Sequence, residues 1–154
     1  MEKVRFAVVG VGGLGKSHMI GIGNNSDLAE LVAICDNRED AEQITPELLQ
    51  RADRPDAFFA INDDTAIGIL RMVKRSGLRV PEDVSIFGFS DGFRSLASDP
   101  QLTSVNQRGQ EVGREAVDIL VSEVEGILPT EKANKRVVKT EMVLRGTTKI
   151  ISEE

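Results

Sequence analysis

Strand-like and helix-like segments alternate along this chain, and that alternation limits the possible folds more than any other feature. Apolar runs rich in β-branched or aromatic residues occupy Val4–Val9, Glu30–Cys35, Ala57–Ile61, Val84–Phe89 and Thr103–Val105, and each reads as a strand. Helical segments lie between them. The first covers residues 15–23, and the second opens with Thr45 as N-cap and Pro46 at the first helical position, where its missing N–H costs nothing. The third is capped by Asp63 or Asp64, carries Ala66, Ile67, Leu70 and Val73 at helical spacing, and stops before Gly77. Strand and helix repeating in units of about 25 residues require right-handed crossovers and a parallel sheet with helices on both faces. The expected fold is therefore α/β: a three-layer, doubly wound, flavodoxin-like or Rossmann-like sheet. Its strands, numbered along the chain, take the order 2-1-3-4-5, with a less regular edge strand within residues 137–145.

Composition removes several classes of function. The 154 residues suit one domain, residues 1–154. No run approaches the roughly 18 apolar residues of a membrane span, and the N-terminus lacks the succession of regions that makes a secretory signal, so a cytoplasmic protein without membrane contact is expected. A net charge of −6 opposes the phosphate backbone of nucleic acid, and no nucleic-acid partner is expected. Cys35 and His18 are the chain's one cysteine and one histidine, too few for a disulfide or a metal site. Ser17 and His18 adjoin within a helical segment with no third group to orient them, so they are not a catalytic pair; His18 reads as a surface residue. Cys35 and the six phenylalanines read as core.

The most specific local motif is Gly10-Val11-Gly12-Gly13-Leu14-Gly15, a GxGxxG run between a strand and a helix, with Asp36 at the end of the next strand. In that context Gly10 permits a tight turn, Gly12 lets backbone approach a pyrophosphate, and Gly15 lets helix and strand pack closely. Asp36 would accept hydrogen bonds from ribose hydroxyls and favour NAD over NADP. The competing reading is that these glycines serve only the turn and the helix contact.

With VRFAVVGVGGLGKSH in view, residues 3–40 resemble the opening unit of the glucose-fructose oxidoreductase and inositol dehydrogenase family. That resemblance assigns Gly10, Gly12, Gly15 and Asp36 to cofactor binding. The family's catalytic lysine lies in a Glu-Lys-Pro motif that this chain lacks, so no enzymatic activity is expected, and NAD binding is expected to be weak at most.

From about residue 45 to 148 the resemblance changes. RPDAFFAINDDTAIGIL, GLRVPEDVSIFGFSDG, DPQLTSVNQ and the closing EMVLRGTT resemble the effector-binding domain of the lac repressor and galactose repressor family, which has the periplasmic binding protein fold. The resemblance places Asn62 and Asp63 after one strand, and Ser90 and Asp91 after the next, on the wall of a sugar or purine cleft. Ser90 departs from the family's usual aspartate. No helix-turn-helix segment and no second lobe precede the matched region, so effector binding by half a cleft is expected to be poor.

Two resemblances in one sheet, joined near residues 38–45, suggest an engineered chimera: an oxidoreductase-like segment over residues 1–40, a regulator lobe over residues 41–154, and no evolved activity. The alternatives are a weak dinucleotide-binding module and an isolated effector-binding lobe. A helix over residues 108–126 carries Val112, Ala116, Val117, Leu120 and Val124 on one arc. In the regulator family this segment crosses to the other lobe, so the expectation here is either fold-back onto its own sheet or a homodimer formed by exchange of this helix.

Overall fold

The computed structural model describes residues 3–10, 13–35, 38–129 and 134–149. Five parallel strands organise it: β1 (Val4–Val9), β2 (Ala29–Cys35), β3 (Ala57–Ala60), β4 (Ser85–Ser90) and β5 (Thr103–Asn106). A short antiparallel strand, β6 (Glu141–Val143), pairs with β5, and the sheet order is β2-β1-β3-β4-β5-β6. The expected order and edge strand are both found.

Between the strands run α1 (Gly13–Asn24), α2 (Arg38–Gln50), α3 (Asp63–Arg75), α4 (Phe93–Ala97) and α5 (Gly109–Val124). The step from β1 to β2 runs one way along the sheet and every later parallel step runs the other, so right-handed crossovers place α1 on one face and α2 to α4 on the opposite one. Accordingly α2 packs on α3, and α3 on α4. The core lies between that helical layer and the sheet: Ala7, Val9, Phe58, Ile86 and Leu102 meet Leu48, Leu49, Ala66, Ile69 and Val73. At the start of the strands, Arg5 spans β1 and β3 by a forked ion pair to Asp56 (2.7 Å) and holds that carboxyl below the usual carboxylate range.

Four local expectations need correction. The helix that was to begin at Thr45 begins at Arg38 and runs through Pro46, across the expected join. Inside it the buried Thr45 hydroxyl donates to the Ala41 carbonyl (2.5 Å). The cap of α3 is Asn62 rather than Asp63 or Asp64; its side chain accepts from the Thr65 N–H (2.8 Å). His18 is half-buried, its ring 4.4 Å from Phe59 and 5.9 Å from Phe89, because α1 crosses the sheet above those rings. Phe93 is 82% exposed and is no part of the core, whereas Phe58 and Cys35 are buried as expected.

Helix α5 has no buried residue and packs substantially on no other element. Fold-back onto its own sheet is therefore not the solution the chain adopts. One side of α5 is held by the returning chain, through Arg136 to Glu115 (2.5 Å) and Asn134 to Glu123 (2.7 Å). Among the described residues no helix is long and apolar enough to cross a membrane, and no group of three or more potential ligands could hold a metal ion.

Candidate functional site

The C-terminal ends of the five parallel strands deliver Gly10, Cys35, Asn62, Ser90 and Asn106 to one edge of the sheet. Ligands of doubly wound sheets bind outside this edge.

At β1, Gly10 has φ +95°, and a Cβ there would lie 2.3 Å from Cγ2 of Ile61. Its N–H donates to the Cys35 carbonyl (2.6 Å). Backbone conformation and contact with the neighbouring strand end thus demand glycine here without reference to any ligand. Gly15 falls inside α1, which starts at Gly13 rather than at the motif's last glycine. Gly12 and Asp36 lie outside the described residues. Gly10→Ala is expected to cost about 2 kcal/mol, from the left-handed backbone and the displaced Ile61 together; chemical denaturation checks it, and an unchanged midpoint would return Gly10 to a purely ligand-facing role.

At β3, Asn62 is occupied as the cap of α3. Asp63 is 5% exposed, and both of its oxygens are engaged: Oδ2 accepts from the Gly92 N–H (2.8 Å), and Oδ1 from the Ser104 hydroxyl (2.5 Å). Gly88 makes room for it, since a Cβ at 88 would stand 2.6 Å from Oδ1. Asp64 meets Arg94 (2.8 Å) at the surface.

At β4 the chain turns through two successive non-glycine residues in left-handed backbone, Ser90 (φ 126°) and Asp91 (φ 55°). Such conformations cost on the order of 1–3 kcal/mol each and persist where surrounding contacts enforce them. Those contacts converge on Asp91. Its N–H donates to Ser104 Oγ (3.1 Å), and its carboxylate pairs with Arg145 (2.6 Å) and accepts from Asn106 Nδ2 (3.0 Å) and Ser95 Oγ (3.2 Å). The ion pair is well covered, at 12% and 9% side-chain exposure, and the Arg145 guanidinium also donates to the Leu102 carbonyl (2.7 Å). Thr147 completes the attachment, its hydroxyl donating to the Ile86 carbonyl (2.7 Å) and accepting from the Thr103 N–H (2.8 Å).

Of the eight residues singled out from sequence, then, Asp63 and Asp91 have their carboxylates committed within the protein, and Asn62 has its side-chain oxygen committed as the cap of α3. Ser90 is exposed. Together with Asp91 it borders an open, mainly polar cleft of about 560 Å³, whose wall continues through Asn106, Arg108, Gln110, Glu111 and Arg114. Arg108, itself left-handed (φ 52°), makes the corner into α5 and is held by Glu111 and Glu141. Sequence reasoning missed Arg145, Ser104 and Gly88. Gly88, set inside an otherwise apolar strand, was the one visible signal, because glycine in a strand interior marks close approach by another group.

Residues 18–148 match the profile of the periplasmic binding protein-like domain. The chain is 36% identical over 105 residues to the HTH-type transcriptional repressor CytR of Escherichia coli (strain K12), covering 68% of this chain and 30% of that one. It is 38% identical over 99 residues to the HTH-type transcriptional regulator CelR of Thermobifida fusca, covering 64% of this chain and 28% of that one. Among solved structures it resembles a LacI family transcriptional regulator from Arthrobacter sp. FB24 in complex with lactose, with 27% identity, TM-score 0.80, and coverage of 96% of this chain and 57% of that one. It also resembles a CelR–cellobiose complex, with 29% identity, TM-score 0.79, and coverage of 94% and 47%. The chain thus spans less than a third of these curated relatives and about half of these solved chains.

These relationships overturn the expectation of an engineered, functionless chimera. One family profile begins at residue 18 and runs unbroken through the expected join at 38–45, and solved regulators share the fold over nearly the whole chain. The regulator part of the resemblance is supported; the oxidoreductase part rests on the glycine motif alone. The relatives named here are regulators and repressors, not enzymes.

Proposed function

Because the chain belongs to the periplasmic binding protein-like domain family, we propose that residues 1–154 form one effector-binding lobe, which takes a small hydroxylated ligand at the C-terminal edge of its sheet. The observation that carries this reading is the strained Ser90–Asp91 corner, braced from behind by Asp63, Ser104, Asn106 and Arg145 and open in front to the cleft. Left-handed non-glycine residues cluster at ligand clamps, where stored strain keeps a binding surface in place. We assign ligand contact to Ser90 and to the cleft-facing polar groups beside it, and bracing to Asp63 and Asp91. Asn62 serves as helix cap. The lactose and cellobiose complexes of the similar structures support a sugar as the ligand class.

An open cleft leaves much of a ligand in water, whereas small-molecule sites typically bury about 70–90% of the ligand surface. A lone lobe should accordingly bind in the millimolar range, worth about 4 kcal/mol or less. We assign no dinucleotide to the Gly10–Gly15 loop, given the contact of Gly10 with Ile61, and no nucleic acid to a chain of net charge −6. As macromolecular partner we assign a second copy of the chain, through α5.

Thermal unfolding with cellobiose, lactose, a nucleoside and NAD tests the ligand reading. A sugar or the nucleoside at about ten times its Kd should raise the Tm by about 4 °C. Ser90→Trp, which fills the cleft, should abolish that rise. Saturable stabilisation by NAD alone would contradict the assignment.

A further inference from the structure

The cleft beside Ser90 is walled by four charged residues, Asp91, Arg108, Glu111 and Arg114, and three of them are answered from within the protein. Asp91 pairs with Arg145 (2.6 Å), and Arg108 stands between Glu111 (3.4 Å) and Glu141 (3.2 Å). Arg114 differs. It follows Gln110 by four residues and Glu111 by three, the spacings that bring helix side chains to one face, and it joins them on the cleft wall. Glu111 is turned to Arg108 instead, and among the described residues Arg114 has no counter-ion. Its guanidinium is exposed, a planar fork of N–H donors.

The neutral groups tilt the same way. Asn106 spends its Oδ1 on the Arg108 N–H (2.7 Å) and its Nδ2 on Asp91 (3.0 Å), while the Asp91 carboxylate also accepts from Ser95. What remains to meet a ligand is the Ser90 hydroxyl, the Gln110 amide, the second oxygen of Glu111 and the whole Arg114 fork. Donors outnumber acceptors. A neutral sugar brings hydroxyls that donate as well as accept, and the carboxylates they would donate to are already engaged. A carboxylate or phosphate group brings oxygens that only accept, and a guanidinium matches either with two parallel hydrogen bonds.

We propose that the cleft selects an anionic ligand: a hydroxylated molecule carrying a carboxylate or phosphate, such as a sugar acid or sugar phosphate, whose charged end pairs with Arg114. Its hydroxyls meet Ser90 and Gln110. This proposal rests on the effector-lobe reading and narrows its ligand class. Because the cleft is open, the pair is partly solvated, and an exposed ion pair is worth up to about fivefold in affinity, less as salt screens it.

Glucose, glucuronate and the glucose phosphate esterified at the same exocyclic carbon share one pyranose ring and differ in the charge it carries. Each is titrated into the 154-residue chain at constant ionic strength and followed by amide resonances. Saturable shifts are expected at Ser90 and Arg114, with at least one anion binding about fivefold more tightly than glucose at low salt. The tighter of the two anions tells carboxylate from phosphate. In about 0.5 M salt the advantage should shrink to about twofold or less. Arg114→Gln should erase the advantage with the Tm of the unliganded chain unchanged, and Arg114→Lys should keep part of it. Glucose binding as tightly as both anions, or an advantage that survives Arg114→Gln, would overturn the proposal and leave the effector reading standing. Saturation by none of the three would overturn both.

Discussion

Arg145→Ala is expected to lower the free energy of unfolding by about 4 kcal/mol, the largest effect of any single replacement outside the apolar core. Removing one partner of a covered ion pair leaves the other charge with neither water nor counter-charge, which typically costs about 3–5 kcal/mol. Here the abandoned group is Asp91, 9% exposed and held in left-handed backbone. The loss should also release the Leu102 carbonyl, which Arg145 covers. Against a typical total stability of about 5–15 kcal/mol, such a variant stays folded only marginally, so the measurement is a urea titration at low temperature. Asp91→Asn combined with Arg145→Met removes both charges and should cost clearly less than Arg145→Ala alone. Equal losses in the two would mean that the pair is not coupled.

Asp63→Ala should cost about 3 kcal/mol, for a different reason. No counter-charge is stranded; instead the Gly92 N–H and the Ser104 hydroxyl lose their acceptor in a site closed to solvent, and unsatisfied buried donors cost about 1–3 kcal/mol each. Asp63→Asn retains one acceptor oxygen and should lose roughly half as much. The direction of a second readout separates bracing from ligand contact. If Asp63 braces, Asp63→Ala lowers the Tm of the unliganded chain and loosens the Ser90–Gly92 turn. If it met the ligand instead, the unliganded Tm would hold and only binding would fall.

The sheet was legible from sequence because periodicity survives in short windows. Val4–Val9 matches its strand at both ends, β2, β3 and β5 differ from expectation by a residue at one end, and β4 is shifted by one residue at both. Long-range contacts, which no window contains, account for the rest. Asn62 rather than Asp63 caps α3 because the Asp63 carboxylate is drawn below toward Ser104 and Gly92. The edge strand shrank from residues 137–145 to Glu141–Val143 because the chain before it runs beside α5, held through Arg136 and Asn134. Helix α4 has only five residues, too few for periodicity to announce. At the site, sequence singled out the ends of β1, β3 and β4, and the structure adds protein-internal partners for several of their residues that no short window contains. Asp63 and Asp91 stand where a ligand wall was expected, yet they spend their oxygens on Ser104, Gly92, Asn106 and Arg145. The glycine run admits both of its readings for a related reason: a tight strand-to-helix turn against a neighbouring strand asks for the same residue, at Gly10, that a pyrophosphate would.

Amide resonances followed by nuclear magnetic resonance during titration with cellobiose, and separately with NAD, place any ligand on one strand end or another. An effector lobe predicts saturable shifts at Ser90, Asp91, Asn106 and Arg108 with the sugar, and silence at Gly10 with either compound. Saturable shifts confined to the β1–α1 turn on addition of NAD, with the Ser90–Gly92 turn unmoved by any sugar or nucleoside, would contradict it.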